Sequence, residues 1–222
     1  MHRAPVCSHG PVRSWSVVIP AKRLGVAKTR LRPLTADRVD ADVAHRELVL
    51  ALLADTVAAT VACPVVGAVV VVTDDLSAAA VVRGLGARTV ADEPDRGLNP
   101  ALEHGARNAP GTAIAALSSD LPALRPEELT AALGAAEGSA RAFVPDAQGT
   151  GTTLLTAVDT ELLPRFGPGS AVAHLAGGAT ALSGSWPGLL RDVDTDADLR
   201  AALALGAGPR TRALAVRLGA AP

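Results

Sequence analysis

Short apolar runs rich in β-branched residues alternate with stretches of helical periodicity along most of the 222-residue chain. The predicted strands are residues 15–20, 65–73, 88–91, 112–117, 142–144 and 153–158. The predicted helices are residues 37–62, 76–85, 100–108 and 126–136. This alternation predicts an α/β fold, in which a mainly parallel sheet is covered by helices on both faces.

The alternation changes after residue 144. The segment PDAQGTGTTLLTAV predicts two strands joined by a Gly/Thr-rich turn, and we expect an antiparallel element there. The turn FGPGS and a short helix follow, and LLRDVDT then predicts a last strand before a helix over residues 196–205. No repeat or long linker divides the chain, so we expect one domain over residues 14–206. The two ends, residues 1–13 and 207–222, are expected to be flexible.

Composition and charge argue against several classes of protein. Two Phe, two Trp and no Tyr leave few rings on which the bases of single-stranded nucleic acid can stack. With 21 basic and 22 acidic residues, the formal net charge of −1 favours neither nucleic acid nor an anionic membrane as a partner. Cys7 and Cys63 fit neither a disulfide framework nor a zinc site, and no leader or membrane span is evident. We therefore expect a cytoplasmic protein.

A cationic loop follows the first predicted strand, at the edge where open parallel sheets bind ligands. Residues 22–32 contain five basic side chains and no acidic one: Lys22, Arg23, Lys28, Arg30 and Arg32. Such a loop can neutralise a polyphosphate. Neither a P-loop nor a dinucleotide-binding fingerprint fits, because Gly25 is the loop's single glycine. The alternative is a solvated basic loop without a ligand.

An aspartate directly follows the buried strand predicted over residues 112–117. It is Asp120, in the segment LSSDLP, where Pro122 closes a turn. A lone carboxylate at the end of a strand often caps a turn or a helix. A binding role for Asp120 therefore depends on a second acidic group nearby.

The second acidic group is DVDTDADL, with an aspartate at every second position from 192 to 198. It is not an EF-hand loop, because Ala197 and Leu203 stand where Gly and Glu are required. Thr195 and Asp198 have the spacing of a capping box, which gives Asp196 and Asp198 structural roles in the first turn of a helix.

Asp192 and Asp194 remain outside that cap. On an extended segment they point to the same side, so one or both can meet Asp120 at the sheet edge. Magnesium takes oxygen ligands, typically one or two carboxylates together with substrate phosphates. The acidic residues thus predict a Mg²⁺ site, with orientation of a neighbouring backbone as the alternative role for Asp192.

Six segments share their order and spacing with a known family: VVIPAKRLGVAKTRL, DEPDRGLNPAL, LSSDLP, PDAQGTGTTLL, FGPGSAVAHL and DVDTDADL. Over residues 15–200 the chain resembles the phosphoenolpyruvate or 2-phospho-L-lactate guanylyltransferases of coenzyme F-420 biosynthesis. The resemblance implies a three-layer α/β/α nucleotidyltransferase fold, GT-A-like and Rossmann-like, with a mixed, mostly parallel sheet and an antiparallel insertion. It also implies kinship with the molybdenum-cofactor and isoprenoid nucleotidyltransferases.

The resemblance implies a site with three parts. The nucleotide would contact Pro20, Ala21, Lys22, Lys28, Gly97, Asn99 and Ser119. Mg²⁺ would be held by Asp120 together with Asp192 or Asp194, and Lys28 would contact the triphosphate. Lys28 and Asp120 are therefore the expected catalytic residues. The acceptor would contact Thr152, Gly167 and Ser170, although glycine-rich turns also occur for purely conformational reasons.

Two residues near the FGPGS turn qualify the resemblance. His174 follows Ser170 by four positions, so both would lie on one helix face, where packing is favoured over a ligand contact. Ala171 stands where the family often has an aromatic residue, which affects the expected preference among acceptors more than the reaction.

The reaction that the resemblance implies joins GMP from GTP to phosphoenolpyruvate or 2-phospho-L-lactate and releases pyrophosphate. The two acceptors differ by two hydrogens, so the sequence leaves the choice open, as it does homo-oligomer formation. A different phosphorylated acceptor is an alternative: a molybdopterin, a sugar phosphate or an isoprenoid precursor. The paired glycines typical of the first loop in those enzymes are missing here. A non-catalytic nucleotide-binding protein is the other alternative, but it would not need three aspartates.

Overall fold

Strands and helices alternate along the chain, and the computed structural model describes residues 13–21, 28–36, 39–93 and 96–220. The strands are β1 (Trp15–Pro20), β2 (Val66–Val72), β3 (Arg88–Val90), β4 (Ala113–Leu117), β5 (Arg141–Pro145), β6 (Thr152–Val158) and β7 (Thr180–Ala181). The helices are α1 (Ala41–Val61), α2 (Leu76–Gly84), α3 (Leu98–Arg107), α4 (Pro126–Ala136), α5 (Ser170–Ala176), α6 (Pro187–Leu190), α7 (Asp196–Ala204) and α8 (Pro209–Leu218). A 3₁₀ helix spans Thr29–Leu34.

The strands form one seven-stranded sheet in the order β3-β2-β1-β4-β6-β5-β7. β6 is antiparallel to both its neighbours, β4 and β5, whereas the other pairs are parallel. The predicted mixed, mostly parallel sheet and its antiparallel insertion are confirmed. Because β6 runs in the opposite direction, its first residues lie beside the end of β4, as the pairing of Leu117 with Leu154 shows.

Helices cover both faces of the sheet, as the alternation of side chains along β1 illustrates. Val17 and Ile19 pack into a core shared with α1, α2 and α4. Val18 points to the other face and packs with residues of α3 and α5. This period of two is expected for a strand buried on both faces. The three-layer α/β/α architecture predicted from the sequence is confirmed.

The last predicted strand is wrong. Leu189 and Leu190 belong to α6, and residues 191–195 form no strand. Pro187 occupies the first turn of α6, a position that suits proline. The carboxylate of Glu128 accepts hydrogen bonds from the backbone N–H groups of Gly188 and Leu189 at 3.2 and 3.1 Å. A contact from α4 therefore stabilises a helical turn where apolar pattern alone predicted a strand.

Helix α8 lies within residues 207–222, the end for which flexibility is expected from the sequence. Helix α8 packs on α1, where Leu214 joins Leu48 and Leu52 in an apolar cluster. The buried carboxylate of Asp55 accepts from the backbone N–H groups of Arg210 and Thr211 at 3.3 and 2.7 Å. These bonds hold the start of α8 against α1. The other expected flexible end, residues 1–13, falls outside the described residues except for Arg13.

None of the helices within the described ranges combines the length and apolarity that crossing a bilayer requires.

Candidate active site

A cavity of about 900 Å³ opens at the sheet edge where β1 and β4 end and β6 begins. Most of the predicted site residues line it: Pro20, Lys28, Ser119, Asp120, Thr152, Gly167, Ser170, Asp192 and Asp194. The backbone N–H of Ser118 donates to the carbonyl oxygen of Thr153 at 2.8 Å, which fixes the end of β4 beside the start of β6. The antiparallel strand thus brings the predicted metal and acceptor groups into one cavity.

Lys28 connects two of the aspartates. Its Nζ atom contacts the carboxylate of Asp120 and lies 2.6 Å from Oδ1 of Asp194. The backbone of Lys28 is left-handed, with φ 53° and ψ 44°, where the cationic loop enters the 3₁₀ helix. Arg30 lies farther out, with Nη1 4.0 Å from Asp194. The predicted Lys22 is outside the described residues.

A main-chain contact joins the two acidic segments. The backbone N–H of Val193 donates to the carbonyl oxygen of Asp120 at 3.1 Å, and the Val193 side chain is fully buried. The predicted capping box at Thr195 and Asp198 is confirmed, since each residue's side chain accepts from the other's backbone N–H. With Val193 facing the core, Asp192 and Asp194 face the cavity.

Carboxylates are concentrated in this part of the cavity. Burial raises the pKa of Asp192, the nearby charges of Asp194 and Asp146 raise it further, and Lys28 opposes them. Such a shift means that the ionised form of Asp192 is poorly compensated by the surrounding protein. The cavity therefore favours a cation close to these acidic groups.

The arrangement of oxygen ligands suits a divalent cation such as Mg²⁺. Asp120 and Asp194 come from different segments, yet both reach the same nitrogen of Lys28, so one small cation can contact both. In the described part of the chain, no group of three or more His, Cys, Asp or Glu side chains is arranged to hold a metal ion. Magnesium commonly binds through one or two carboxylates and completes its coordination with phosphate and water.

The predicted acceptor residues form a second wall of the cavity. Oγ of Ser170 donates to Oγ1 of Thr152 at 3.2 Å, and the same Thr152 oxygen lies 2.9 Å from Nδ1 of His174. The sequence favoured simple packing for His174, but this buried ring also makes hydrogen bonds. Its environment lowers its pKa to about 4, chiefly because burial disfavours the charged ring and also because Arg165 is near.

Asp146 was not among the predicted site residues. Its carboxylate accepts from the backbone N–H groups of Thr150 and Gly151 at 2.9 and 2.8 Å and lines the cavity. These bonds tighten the turn before β6. An aspartate that begins a glycine-rich turn is a recognisable sequence signal, because Asp side chains commonly bond the backbone a few residues ahead.

The predicted wall for the base is placed differently. Leu98 lines the cavity, whereas the flanking Gly97 and Asn99 are not among its described lining residues. The Asn99 amide makes two hydrogen bonds to the backbone of Phe166, accepting from its N–H at 2.8 Å and donating to its carbonyl at 3.1 Å. Asn99 thus holds the loop that carries Gly167. Another residue predicted to contact the nucleotide, Ala21, is buried and donates its N–H to the carbonyl oxygen of Val72.

The fold is a three-layer α/β/α sandwich, in which the ammonium group of Lys28, after β1, meets the carboxylate of Asp120, after β4. These features place the chain in the nucleotidyltransferase class of folds. A nucleotidyl transferase from Methanothermobacter thermautotroptrophicus has this fold, with a TM-score of 0.64 and 22% identity over 86% of this chain and 97% of that one. Residues 15–219 match the family described as "Guanylyl transferase CofC like", and the chain belongs to that family.

Two relatives extend this assignment. A protein named phosphoenolpyruvate guanylyltransferase from Geodermatophilus obscurus is 71% identical over 91% of this chain and 94% of its own length. A protein of the same name from Salinispora arenicola is 55% identical over 90% of this chain and 92% of its own length. The resemblance deduced from the sequence segments is confirmed at the level of the family.

Proposed function

We propose that this protein transfers GMP from GTP to phosphoenolpyruvate, releasing pyrophosphate and forming enolpyruvyl-diphospho-5'-guanosine in coenzyme F-420 biosynthesis. The observation that carries the proposal is the placement of Lys28, Asp120 and Asp194 in one cavity with Thr152 and Ser170. The family match and the names of the relatives at 71% and 55% identity support this choice of reaction.

The reaction joins two anions and needs no general base. A phosphate monoester is already largely dianionic at pH 7, because its second pKa is about 6. One of its oxygens attacks the α-phosphorus of GTP, and the bond from that phosphorus to the oxygen bridging to the β-phosphate breaks. The main requirements are in-line alignment and neutralisation of charge.

Lys28 and the aspartates meet these requirements in different ways. The ammonium group of Lys28 stabilises the negative charge that develops on the departing pyrophosphate. Asp120, together with Asp194 or Asp192, would hold a divalent ion, for which we propose Mg²⁺. When bound, such an ion supplies positive charge that draws the α-phosphate and the acceptor phosphate together.

The remaining residues bind the two substrates. On the nucleotide side we propose Pro20, Ala21, Lys22, Gly97, Asn99 and Ser119, with Asn99 acting through the position of the Phe166 loop. On the acceptor side we propose Thr152, Gly167 and Ser170. Gly167 has φ 129°, a conformation that other residues rarely adopt, so its exposed backbone can approach an anionic ligand closely.

A matrix of nucleotides and acceptors tests this function. Each of the four nucleoside triphosphates is incubated with phosphoenolpyruvate or 2-phospho-L-lactate, and products are identified by mass. We expect a product from GTP and phosphoenolpyruvate, with weaker turnover for the lactate derivative. Comparable products from all four nucleotides, or no product with either acceptor, would contradict the proposal.

A further inference from the structure

His174 lies behind the cavity wall and has no part in the reaction proposed above. The residue lies on α5 and is 2% exposed. The ring centroid lies 5.7 Å from that of Phe143 and 5.3 Å from that of Phe166, the latter edge-on. Both ring nitrogens nevertheless make hydrogen bonds, one with Arg165 in the loop before Gly167 and one with Thr152 in β6.

The hydrogen bonds fix the tautomer of this ring. The backbone N–H of Arg165 donates to Nε2 of His174 at 2.9 Å, so Nε2 carries no proton. A neutral imidazole then has its proton on Nδ1. Since Nδ1 lies 2.9 Å from Oγ1 of Thr152, His174 donates this proton to the Thr152 hydroxyl oxygen. The low pKa of His174 agrees with a ring that stays neutral.

The hydroxyl oxygen of Thr152 therefore accepts two hydrogen bonds. His174 donates to its hydroxyl oxygen from one side, and the Ser170 hydroxyl donates from another. A hydroxyl that accepts two hydrogen bonds still has its own proton to donate. Thr152 lines the cavity, and no described residue is found to accept that proton, so it is available to an anionic ligand. Hydrogen bonds that are linked in series also polarise one another, which strengthens the bond that the Thr152 hydroxyl donates to a ligand.

We propose that His174 is a positioning residue for the acceptor: as the neutral Nδ1–H tautomer, it fixes the Thr152 hydroxyl as a donor to an anionic oxygen of the acceptor. The inference rests on the proposed function. His174 acts through Thr152 and does not touch the substrate. It is not a general base, because Nε2 is occupied by the Arg165 N–H.

Two substitutions at this position separate the hydrogen bond from packing. In His174→Asn the side-chain NH₂ takes the place of Nδ1–H, so the bond to Thr152 is retained while the bond from Arg165 is lost. In His174→Phe both bonds are lost, but a ring stays between Phe143 and Phe166. The difference between the two variants therefore reports on the donor to Thr152.

Steady-state kinetics give the expected pattern. Loss of one buried hydrogen bond corresponds to roughly tenfold in affinity. We expect His174→Phe to raise the KM for phosphoenolpyruvate about tenfold, with the KM for GTP changed by less than about twofold. His174→Asn should stay within about threefold of the wild type for both substrates. An equal defect in both variants, or a parallel rise in both KM values, would overturn the positioning role.

A double substitution tests whether His174 acts through Thr152. Thr152→Val removes the hydroxyl, and adding His174→Phe should then cause little further increase in the KM for phosphoenolpyruvate. Independent effects that multiply in the double variant would contradict the proposed coupling. Thr152→Ser keeps the hydroxyl and is the matched control, in which the His174→Phe effect should persist.

A spectroscopic measurement keeps the inference testable even if His174→Phe fails to fold. The ¹⁵N chemical shifts of the full-length wild-type protein distinguish the two neutral tautomers from the protonated ring. We expect His174 to be neutral with its proton on Nδ1 at pH 7; an Nε2–H tautomer or a charged ring would overturn the inference. Absence of guanylyl transfer by the wild type would instead contradict the proposed function, so the two failures are distinguishable.

Discussion

The backbone N–H of Val193 donates to the carbonyl oxygen of Asp120 at 3.1 Å, which joins two acidic segments that are distant in sequence. The bond places the aspartates on either side of Val193 against the loop that follows β4. Because Val193 is buried, its neighbours Asp192 and Asp194 are directed into the cavity. The position of the carboxylates thus depends on a main-chain contact and on the burial of one apolar side chain.

The first prediction concerns the carboxylate of Asp120. Asp120→Asn keeps the size of the side chain but removes the charge that faces Lys28 and the proposed ion. Turnover of GTP with phosphoenolpyruvate should fall by about two orders of magnitude or more, as for other losses of charge stabilisation in a transition state. Pyrophosphate release measures the effect. Asp159→Asn, at an exposed residue near the far end of β6, is the control and should retain full activity. Unchanged turnover in Asp120→Asn would remove Asp120 from the mechanism.

The second prediction concerns the divalent ion. Two carboxylates on one small cation bind weakly without substrate phosphates, so a chelator should strip the ion readily. Pyrophosphate release should stop in excess chelator and return when Mg²⁺ is added back beyond the chelator concentration. Thermal unfolding measured in the same samples controls for loss of fold. Undiminished pyrophosphate release in the chelator would argue against a metal-dependent reaction.

The fold was predictable largely because its core strands carry local signals. β1 and β2 are apolar and β-branched, and their predicted bounds agree with the structure to within about one residue. The predicted strand over residues 189–195 was wrong because its apolar residues permit either a strand or a helix, and the contacts from Glu128 decide between them. Helix α8 was missed for the same kind of reason, since Asp55 of α1 caps it. Such partners are invisible to local periodicity.

The candidate site shows the same division. The capping-box spacing at Thr195 and Asp198 is a local signal, and the cap was predictable from it. Asp192 and Asp194 line the cavity, as do Thr195 and Asp198 of the cap. His174 depends on Thr152 in β6 and on a backbone N–H in the preceding loop. A histidine that could equally pack on an apolar face carries no local signal for those bonds. The hydrogen bonds of His174 therefore could not be predicted from the local sequence.

The third prediction concerns pH and His174. Burial lowers the pKa of the folded ring from 6.5 to about 4. In the unfolded chain the ring takes up a proton below about pH 6.5, so in this interval acid favours unfolding. The contribution of His174 to stability is complete above that pH and is lost as the pH falls toward 4. The loss of stability at pH 4.5, relative to pH 7.5, is on the order of 2 kcal/mol.

Urea unfolding at pH 7.5 and pH 4.5 measures this effect. The wild type should lose more free energy of unfolding between the two pH values than His174→Asn does, because the variant lacks the titrating ring. Acidic residues titrate in both proteins, so the difference between them isolates His174. Equal losses in the two proteins would show that the folded ring titrates normally.

The fourth prediction concerns the approach of α3 to the sheet. A Cβ atom on Gly105 would collide with the side chains of Val18 and Val72, so α3 lies close to β1 and β2 only because this position has no side chain. Gly105→Ala should destabilise the protein by about 1–3 kcal/mol. The matched control is Gly134→Ala in α4, where the added methyl group meets nothing within 4 Å. That exposed substitution should stabilise by about 0.5–1 kcal/mol through helix propensity, and equal effects in urea unfolding would contradict the packing argument.

The fifth prediction concerns the cap that α1 provides for α8. Asp55 is 4% exposed and accepts from the backbone N–H groups of Arg210 and Thr211, two of the first donors of α8. Asp55→Ala leaves these donors without the carboxylate and should lower the free energy of unfolding by about 1–2 kcal/mol. Asp55→Asn keeps one acceptor oxygen and should lose less. No described residue of α8 lines the cavity, so guanylyl transfer by both variants should stay near the wild-type rate at 25 °C. Hydrogen exchange should be faster in α8 of Asp55→Ala than in the wild type, and unchanged protection there would show that the apolar contact of Leu214 with α1 suffices to hold the helix.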